Sequence, residues 1–358
     1  MATSGTVGNI VLDLATILEH AIRRCRVPTS VQTPEVVQLM LSNLQRLLNE
    51  LSSLGINLWC VEKIIVGLHK FQESYQLPAG TVDVLNAFLR TSPSVGGTLS
   101  SSDGQGIGPL QDGDVTTYVT QSSTGGNFKL VFSAATAVRT VGLLHKGTAT
   151  RSLVFETSPD NVVWTVVRSV GTKTYSEGEW IWNDIDPTRE ALYFRVRDTL
   201  TNASLSAYEF YASGGGTEIA AARLNRDQFT NMPQKFFSGR PLQYWFDRQV
   251  TQAVLHLWPS PDDIYTQYVV WRHRLVQDVG TDLTLEIEVP IKWQEAIFSG
   301  LALRTALELP QVDVQLIPIL KALYKEALSI VETDEYDNSV IQLAPNIRHY
   351  TRGTGGRR

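Results

Sequence analysis

Apolar residues recur at three- and four-residue spacing through Val11, Leu14, Ala15, Leu18, Ala21 and Ile22, which predicts a helix with one apolar face. Val27-Pro28 ends it. Thr33-Pro34-Glu35 then supplies an N-cap, a proline at the first helical position and an acid in the first turn. The helix opened there carries Val37, Met40, Leu41, Leu44, Leu47, Leu48 and Leu51 and stops at Gly55. From Ile56 to Phe71, β-branched residues and alternation favour strands over a short helix. Tyr75-Gln-Leu-Pro78 reads as a turn, and Val82 to Arg90 as a short apolar element leading out of it.

The pattern changes at Thr91. Ser92 to Gly108 is rich in Ser, Gly and Pro and marks a linker. Short strands with turn signals between them follow at 128–132, 138–144, 152–157, 164–170, 180–182, 192–196 and 208–211, which predicts a β-sandwich. Ser213-Gly-Gly-Gly216 closes the block as a second joint. Glu218 to Met232 reads as a strand or helix followed by a loop. Strands are expected at 254–258 and 265–274, joined by the Trp258-Pro-Ser-Pro261 turn, and at the alternating Leu283 to Val289. Two helices close the pattern, one from Pro290 to near Pro310 and one from about Val312 to Thr333.

The resulting fold class is α+β: a helical body with a small β-sheet, interrupted by an all-β sandwich. The boundaries are 1–93 for the first half of the body, 94–213 for the insert, 214–345 for the second half and 346–358 for a tail. Both joints lie beside strand-like segments, so the body's sheet is expected to pair across the insert. Surface loops accept such insertions because closure entropy grows slowly with length.

Composition narrows the function. With 31 Lys and Arg against 36 Asp and Glu, the net charge of -5 argues against a protein that coats nucleic acid. Cys25 and Cys60 sit in apolar stretches and read as buried free thiols, with no zinc-ligand spacing. Met1 to Gly8 lacks a basic segment before a hydrophobic run, so no signal peptide is expected. No apolar stretch approaches the roughly 18 residues of a membrane span.

Candidate chemistry is sparse. The six histidines lack the i, i+4 spacing of a zinc protease, although His256 and His273 fall on strands expected to be neighbours. Gly104-Gln-Gly-Ile-Gly108 neither follows a strand nor opens a helix, so it reads as linker rather than phosphate loop. Asp262-Asp263 sits in a turn, and Glu286 with Glu288 on the outer face of the alternating strand. No nucleophile elbow or cofactor fingerprint appears, and a non-enzymatic protein without a cofactor is expected.

Two resemblances cover nearly the whole chain. An ordered series runs from the helical N-terminus through Tyr75-Gln-Leu-Pro78 and Asp83 to Phe88. It continues with Pro233, Lys235, Gly239-Arg-Pro241, Tyr244-Trp-Phe-Asp-Arg248, Leu257-Trp-Pro-Ser-Pro261 and Val289-Pro-Ile-Lys-Trp293, and ends in two helices and the Asn338 to Tyr350 extension. The series resembles the head-to-tail adaptor (connector) proteins of tailed bacteriophages. That resemblance implies a virion protein made in the host cytoplasm, with no membrane partner. It would form a homo-oligomeric ring, commonly dodecameric, between the portal and the tail tube or nozzle. Double-stranded DNA would be retained by the ring and exit through it without sequence-specific binding. The basic, Gly-rich tail, with Arg348, His349, Tyr350, Arg352, Arg357 and Arg358, is expected to reach the portal.

Within the insert, Asp112-Gly-Asp-Val-Thr-Thr-Tyr118, the 138–143 strand, the Glu156 to Trp164 hairpin, and the strands at Tyr193 to Arg197 and Ser206 to Tyr211 resemble a discoidin-like (coagulation factor C-type, galactose-binding-like) jelly roll. Tyr118 stands where that family often has Trp. The resemblance implies a structural calcium near the early loop, with Asp112 and Asp114 as candidate ligands, although Asp-Gly turns form without metal. It also implies glycan binding through exposed loop aromatics, whereas Trp164, Trp180 and Trp182 read as core. A carbohydrate-binding virion decoration or host-attachment protein is the first alternative, and a cell-wall hydrolase the second.

Overall fold

The computed structural model describes residues 13–28, 33–53, 58–101, 107–121, 126–186, 190–200 and 204–335. Five α-helices lie among them: α1 (Leu14–Arg24), α2 (Pro34–Ser53), the short α3 (Arg226–Thr230), α4 (Gln294–Glu308) and α5 (Leu316–Glu335). None is long and apolar enough to cross a membrane. The chain divides into two compact units, one from residues 1–59 and 276–358, the other from 60–275.

The first unit is helical. The Asp13 carboxylate caps α1 by accepting the Thr16 N–H at 3.0 Å, and Leu14, Ile17, Leu18, Ala21 and Ile22 form its buried face, as the spacing predicts. α4 passes α2 and α5 at Gly300, where a Cβ would lie 2.8 Å from the Tyr324 ring and 3.0 Å from Leu47. Across α1 and α4, Arg24 pairs with Glu295 at 2.7 Å. Cys25 here and Cys60 in the other unit are buried and form no disulfide, and the Cys25 Sγ–H donates to the Ala302 carbonyl at 3.3 Å.

The alternating stretch Leu283 to Val289 is not a strand. It makes a single bridge, Asp13 to Glu286, and its Leu285 and Leu283 carbonyls accept the Leu14 and Ala15 N–H groups at 3.1 and 3.0 Å. The first amides of a helix lack intrahelical partners, and here carbonyls of the turn at Leu283 to Leu285 supply them.

The second unit is built from sheets. One is antiparallel, in the order Val61–Gly67, Gln267–Arg274, Thr81–Thr91, Thr217–Ala220. Thr91 pairs with Thr217, so this sheet does run across the insertion. A second sheet has the order Ala222–Leu224, Gln243–Asp247, Val254–Trp258, Ser74–Gln76, and the two share a core that includes Leu68, Leu77, Leu89, Tyr244, Leu255 and Tyr268. Tyr75 therefore lies in a strand, not a turn. It pairs with Leu255, and its hydroxyl accepts the His69 N–H at 2.9 Å and donates to the His69 carbonyl. The reversal comes later, at Gly80, with φ of +76°. His256 and His273 fall in different sheets. His256 stacks on Trp245 and bonds Ser74, while His273 sits opposite Val61 and Asp83. Strands thus outweigh helices, beyond the helical body with a small sheet that periodicity predicts, because both flanks of the insert pair into sheets.

The insert is a β-sandwich. Its five-stranded sheet has the order Thr165–Ser169, Leu153–Ser158, Glu190–Asp198, Asn127–Ala137, Thr98–Ser101, so part of the predicted linker is an edge strand. The four-stranded sheet has the order Trp180–Asp184, Thr140–His145, Leu205–Ser213, Val119–Gln121. Alternate residues such as Phe128, Leu130, Leu143, Phe155, Phe194 and Phe210 fill the space between them.

Two readings of the tryptophans change. Trp180 and Trp182 are buried, but outside the sandwich core: they pack with Leu144 and Ile264 against Ile65, Tyr211 and Tyr265. Gly67 and Gly142 make this approach possible, since a Cβ would stand 2.2 Å from Trp180 Cβ at Gly67 and 2.5 Å from the Trp182 ring at Gly142. Trp164 is only half-buried, with the Arg195 guanidinium 3.8 Å from its ring centroid. At the junction, buried Arg90 bonds Asp184 at 2.7 Å and Glu218 at 3.0 Å, and Lys63 reaches Asp184 at 2.6 Å.

Candidate functional site

The early loop of the sandwich is held by its own carboxylates. Asp112 accepts the Asp114 N–H and the Thr117 hydroxyl, each at 2.8 Å. Asp114 accepts the Thr116 N–H at 2.9 Å and its hydroxyl at 2.7 Å, and these bonds hold its pKa below the usual range. Gly113 takes φ of +72° between them. These are local Asx turns, which need no metal to form.

Two partners of this loop escape the sequence pattern, Glu209 and Tyr265. Glu209 is fully buried on the Leu205–Ser213 strand; its Oε2 accepts the Tyr265 hydroxyl at 3.0 Å, and its Oε1 has no hydrogen-bond partner among the described residues. Burial, with the Asp112 charge adding to it, pushes the Glu209 carboxyl up to about 7. Tyr265 stacks on Tyr211 at 4.5 Å, and burial and the same carboxylate push its hydroxyl up as well. The one signal in the sequence is a single acid inside the apolar run Ala207-Tyr-Glu-Phe-Tyr211. Among the described residues no three His, Cys, Asp or Glu stand close enough to hold a metal ion. Asp112 and Glu209 would offer a hard cation two carboxylates only, and both Asp112 oxygens already accept hydrogen bonds from Asp114 and Thr117. Backbone carbonyls and water would have to complete its shell.

A different kind of site lies on α5. Leu316, Leu320, Ala327 and Val331 form its buried face. Ile319, Leu323 and Ile330 are 54%, 42% and 66% exposed, and their spacing of four and seven residues sets them along one side. Val314 and Leu307 are exposed nearby in the chain. The second unit also holds a cleft of about 710 Å³ along the edge strand Val61–Gly67, walled by Tyr75, Tyr175, Trp180 and Gln252. Arg348, His349, Tyr350, Arg352, Arg357 and Arg358, the expected portal contacts, lie outside the described residues.

No family model matches the chain, and no curated protein matches it. Solved structures similar to part of it include chitosan-binding module 1 of a chitosanase/glucanase from Paenibacillus sp. IK-5. That match has 22% identity and a TM-score of 0.29, and it covers 35% of this chain and 99% of the module. A CBM32 module of a family 31 glycoside hydrolase from Clostridium perfringens gives 17% identity and 0.28, over 32% of this chain and 93% of the module. An F5/8 type C domain from Bacteroides fragilis gives 13% and 0.28, over 34% and 92%. The sandwich fold stands on the strand order and core described above.

Proposed function

We propose that this chain is a structural, non-enzymatic virion protein, a head-to-tail adaptor whose copies assemble into a ring, with twelve the expected number, between the portal and the tail. The observation that carries the reading is the exposed Ile319, Leu323 and Ile330 stripe on α5. Apolar side chains left exposed along one side of a helix, here with Glu326 between Leu323 and Ile330, offer a protein contact. A contact between unlike surfaces of identical chains closes into a ring when its rotation permits. The ordered motif series supports the same reading, and several members are structural anchors: Trp293, Tyr244 and Leu257 are fully or almost fully buried. An acidic chain suits a conduit, because a basic lumen would hold DNA phosphates. The exposed Asp112 and buried Glu209 carboxylates are the residues that would hold a structural calcium, which would neutralise both.

Mass measurement and cryo-EM of the purified chain with portal protein test the reading. A closed ring on the portal is the expected result, and a chain that stays monomeric with portal defeats it. Ile319→Glu with Ile330→Glu should leave a folded monomer.

A second reading, a carbohydrate-binding decoration of the virion, is favoured by half-exposed Trp164, set with Arg195, Lys129 and Asn161 on the outer side of the sandwich. A glycan array with the intact chain tests it, and a signal lost in Trp164→Ala would establish it.

A further inference from the structure

The outer side of the five-stranded sheet carries a concentration of cations unusual for this acidic chain. Arg195 lies opposite Lys129 on one neighbouring strand and Glu156 on the other, and Arg197 follows two residues on. Glu156 is the carboxylate they share: its Oε2 accepts Arg195 Nε at 2.6 Å and Arg197 Nε at 3.0 Å. Burial opposes its ionisation, yet the Arg197 and Arg195 guanidiniums hold its pKa below the usual range. Arg168 is exposed on the edge strand, where the register shifts after Val166 and sets Arg168 opposite Phe155. Lys129, Arg195 and Arg197 thus gather around Glu156, with Arg168 exposed at the sheet's edge; of the other acids on the Arg195 strand, Asp198 is buried against Arg151 and Glu190 is exposed at the strand's start. A further acid, Asp160, caps the Val162 and Val163 N–H groups of the adjoining hairpin at 2.9 Å.

These cations are held in place. The Arg195 guanidinium lies 3.8 Å from the Trp164 ring, and Lys129 bonds Asn161 at 3.1 Å while lying 5.9 Å from the Tyr193 ring. Pre-ordered side chains lose little entropy on binding. With Arg195 against Trp164, the surface offers positive charge more than an open aromatic platform, which favours an acidic partner over a neutral sugar.

An acidic surface of the required kind lies on the same chain. Asp263 accepts the Tyr265 N–H at 3.1 Å, buried Glu209 accepts the Tyr265 hydroxyl at 3.0 Å, and Gly113, next to Asp112, faces that hydroxyl, 3.7 Å from where its Cβ would stand. Asp114 and exposed Asp262 adjoin them, with Lys70 the cation beside Asp114. This acidic rim lies on the side of the four-stranded sheet where Tyr265 meets Tyr211 and Trp180. The cationic surface lies on the outer side of the other sheet. Opposite charges on opposite sides of one sandwich are the arrangement a head-to-tail contact needs.

We propose that the cationic outer face of the five-stranded sheet docks against the acidic rim around Tyr265 on a second copy of this chain, so that neighbouring sandwiches form a charged belt in the ring. The inference rests on the ring reading and adds to it the surface through which the inserts meet.

The test uses intact chain assembled on portal from a mixture of ¹⁴N- and ¹⁵N-labelled copies, treated with a zero-length carbodiimide cross-linker. Isotopically mixed links from Lys129 to Asp114, Asp262 or Asp263 are expected. Lys129→Glu with Arg168→Glu spares the residues that cover Glu156, and should weaken association by about tenfold or more at low salt. Adding Asp114→Lys and Asp262→Lys to the same chain should restore most of it. Circular dichroism checks that each variant folds. Wild-type rings with no such links, and reversal variants that assemble like wild type, overturn the contact while leaving the ring. A wild-type chain that never forms a ring removes the ring reading and this contact together.

Discussion

Replacing Glu209 by glutamine should change how stability depends on pH, and the structure gives the size of the effect. The Glu209 carboxyl is pushed from its ordinary 4.5 to about 7, so between those values the folded chain holds a proton that the unfolded chain has released. Stability from this group is therefore fully present below about 4.5, falls as pH rises, and is gone above about 7. At about 1.4 kcal/mol per unit, the loss across that window is about 3 kcal/mol. Glutamine keeps an acceptor for the Tyr265 hydroxyl but carries no charge. Wild type minus variant isolates the carboxylate, since His145, His256 and the other titrating groups remain in both chains.

Urea unfolding followed by tryptophan emission reports on this region, because Trp180 packs against Tyr265. The stability difference should be level below about pH 4.5, move by about 3 kcal/mol in favour of the variant as pH rises to 7, and be level above. Calcium provides a second arm. If Asp112 and Glu209 hold the cation, millimolar calcium at pH 8 should stabilise wild type by about 3 kcal/mol at a hundredfold excess over its dissociation constant, and the Glu209→Gln chain far less. A difference that stays flat from pH 4 to 8 refutes the buried-carboxylate argument. Equal stabilisation of both chains by calcium refutes the ligand assignment alone.

Three further outcomes follow from the packing. Gly67→Ala should cost about 3 kcal/mol in urea unfolding, because the new methyl meets Trp180 at its Cβ, where rotation about the side chain gives no relief. Gly300→Ala should cost less, about 1 kcal/mol, since the Tyr324 ring and the Leu47 methyls can shift and alanine favours the helix. Arg90→Met leaves Asp184 and Glu218 at the junction without their shared guanidinium, and should lower stability by about 2 kcal/mol. Amide exchange on the Thr217–Ala220 strand should quicken in that variant, and unchanged exchange would contradict the role assigned to Arg90.

What the sequence makes legible depends on whether one face of an element is wet. Phe128, Leu130 and Phe132 alternate with half-exposed neighbours, so a period of two identifies their strand and its inward face. Trp180-Ile-Trp182 shows the limit: Ile181 enters the sandwich core, while both indoles face the other way into a second apolar layer. Alternation between apolar residues on both faces cannot say which face is which. Tyr75 reads as a turn because its strand partner Leu255 is distant in the chain, so only local turn signals are visible. Leu283 to Val289 carries a strand's pattern, but its carbonyls complete the start of α1 rather than a sheet.

The same limit hides the site that carries the functional reading. Ile319, Leu323 and Ile330 have the spacing of buried helix positions, and periodicity alone assigns them to a core. Only the structure separates them from Leu316, Leu320, Ala327 and Val331, which are covered. Apolar spacing reports that a face must lose water, not which chain removes it. For α5 the described part of this chain covers one face and leaves the flank beside it open. Fully removing one such side chain from water gains about 2 kcal/mol, so three partly exposed residues per copy would supply several kcal/mol to each contact in the proposed ring. An interface built on α5 should therefore survive high salt, whereas the charged belt between sandwiches should weaken. Assembly measured at low and high ionic strength separates the two contacts: dissociation of the whole ring by salt alone would show that the α5 stripe does not hold it.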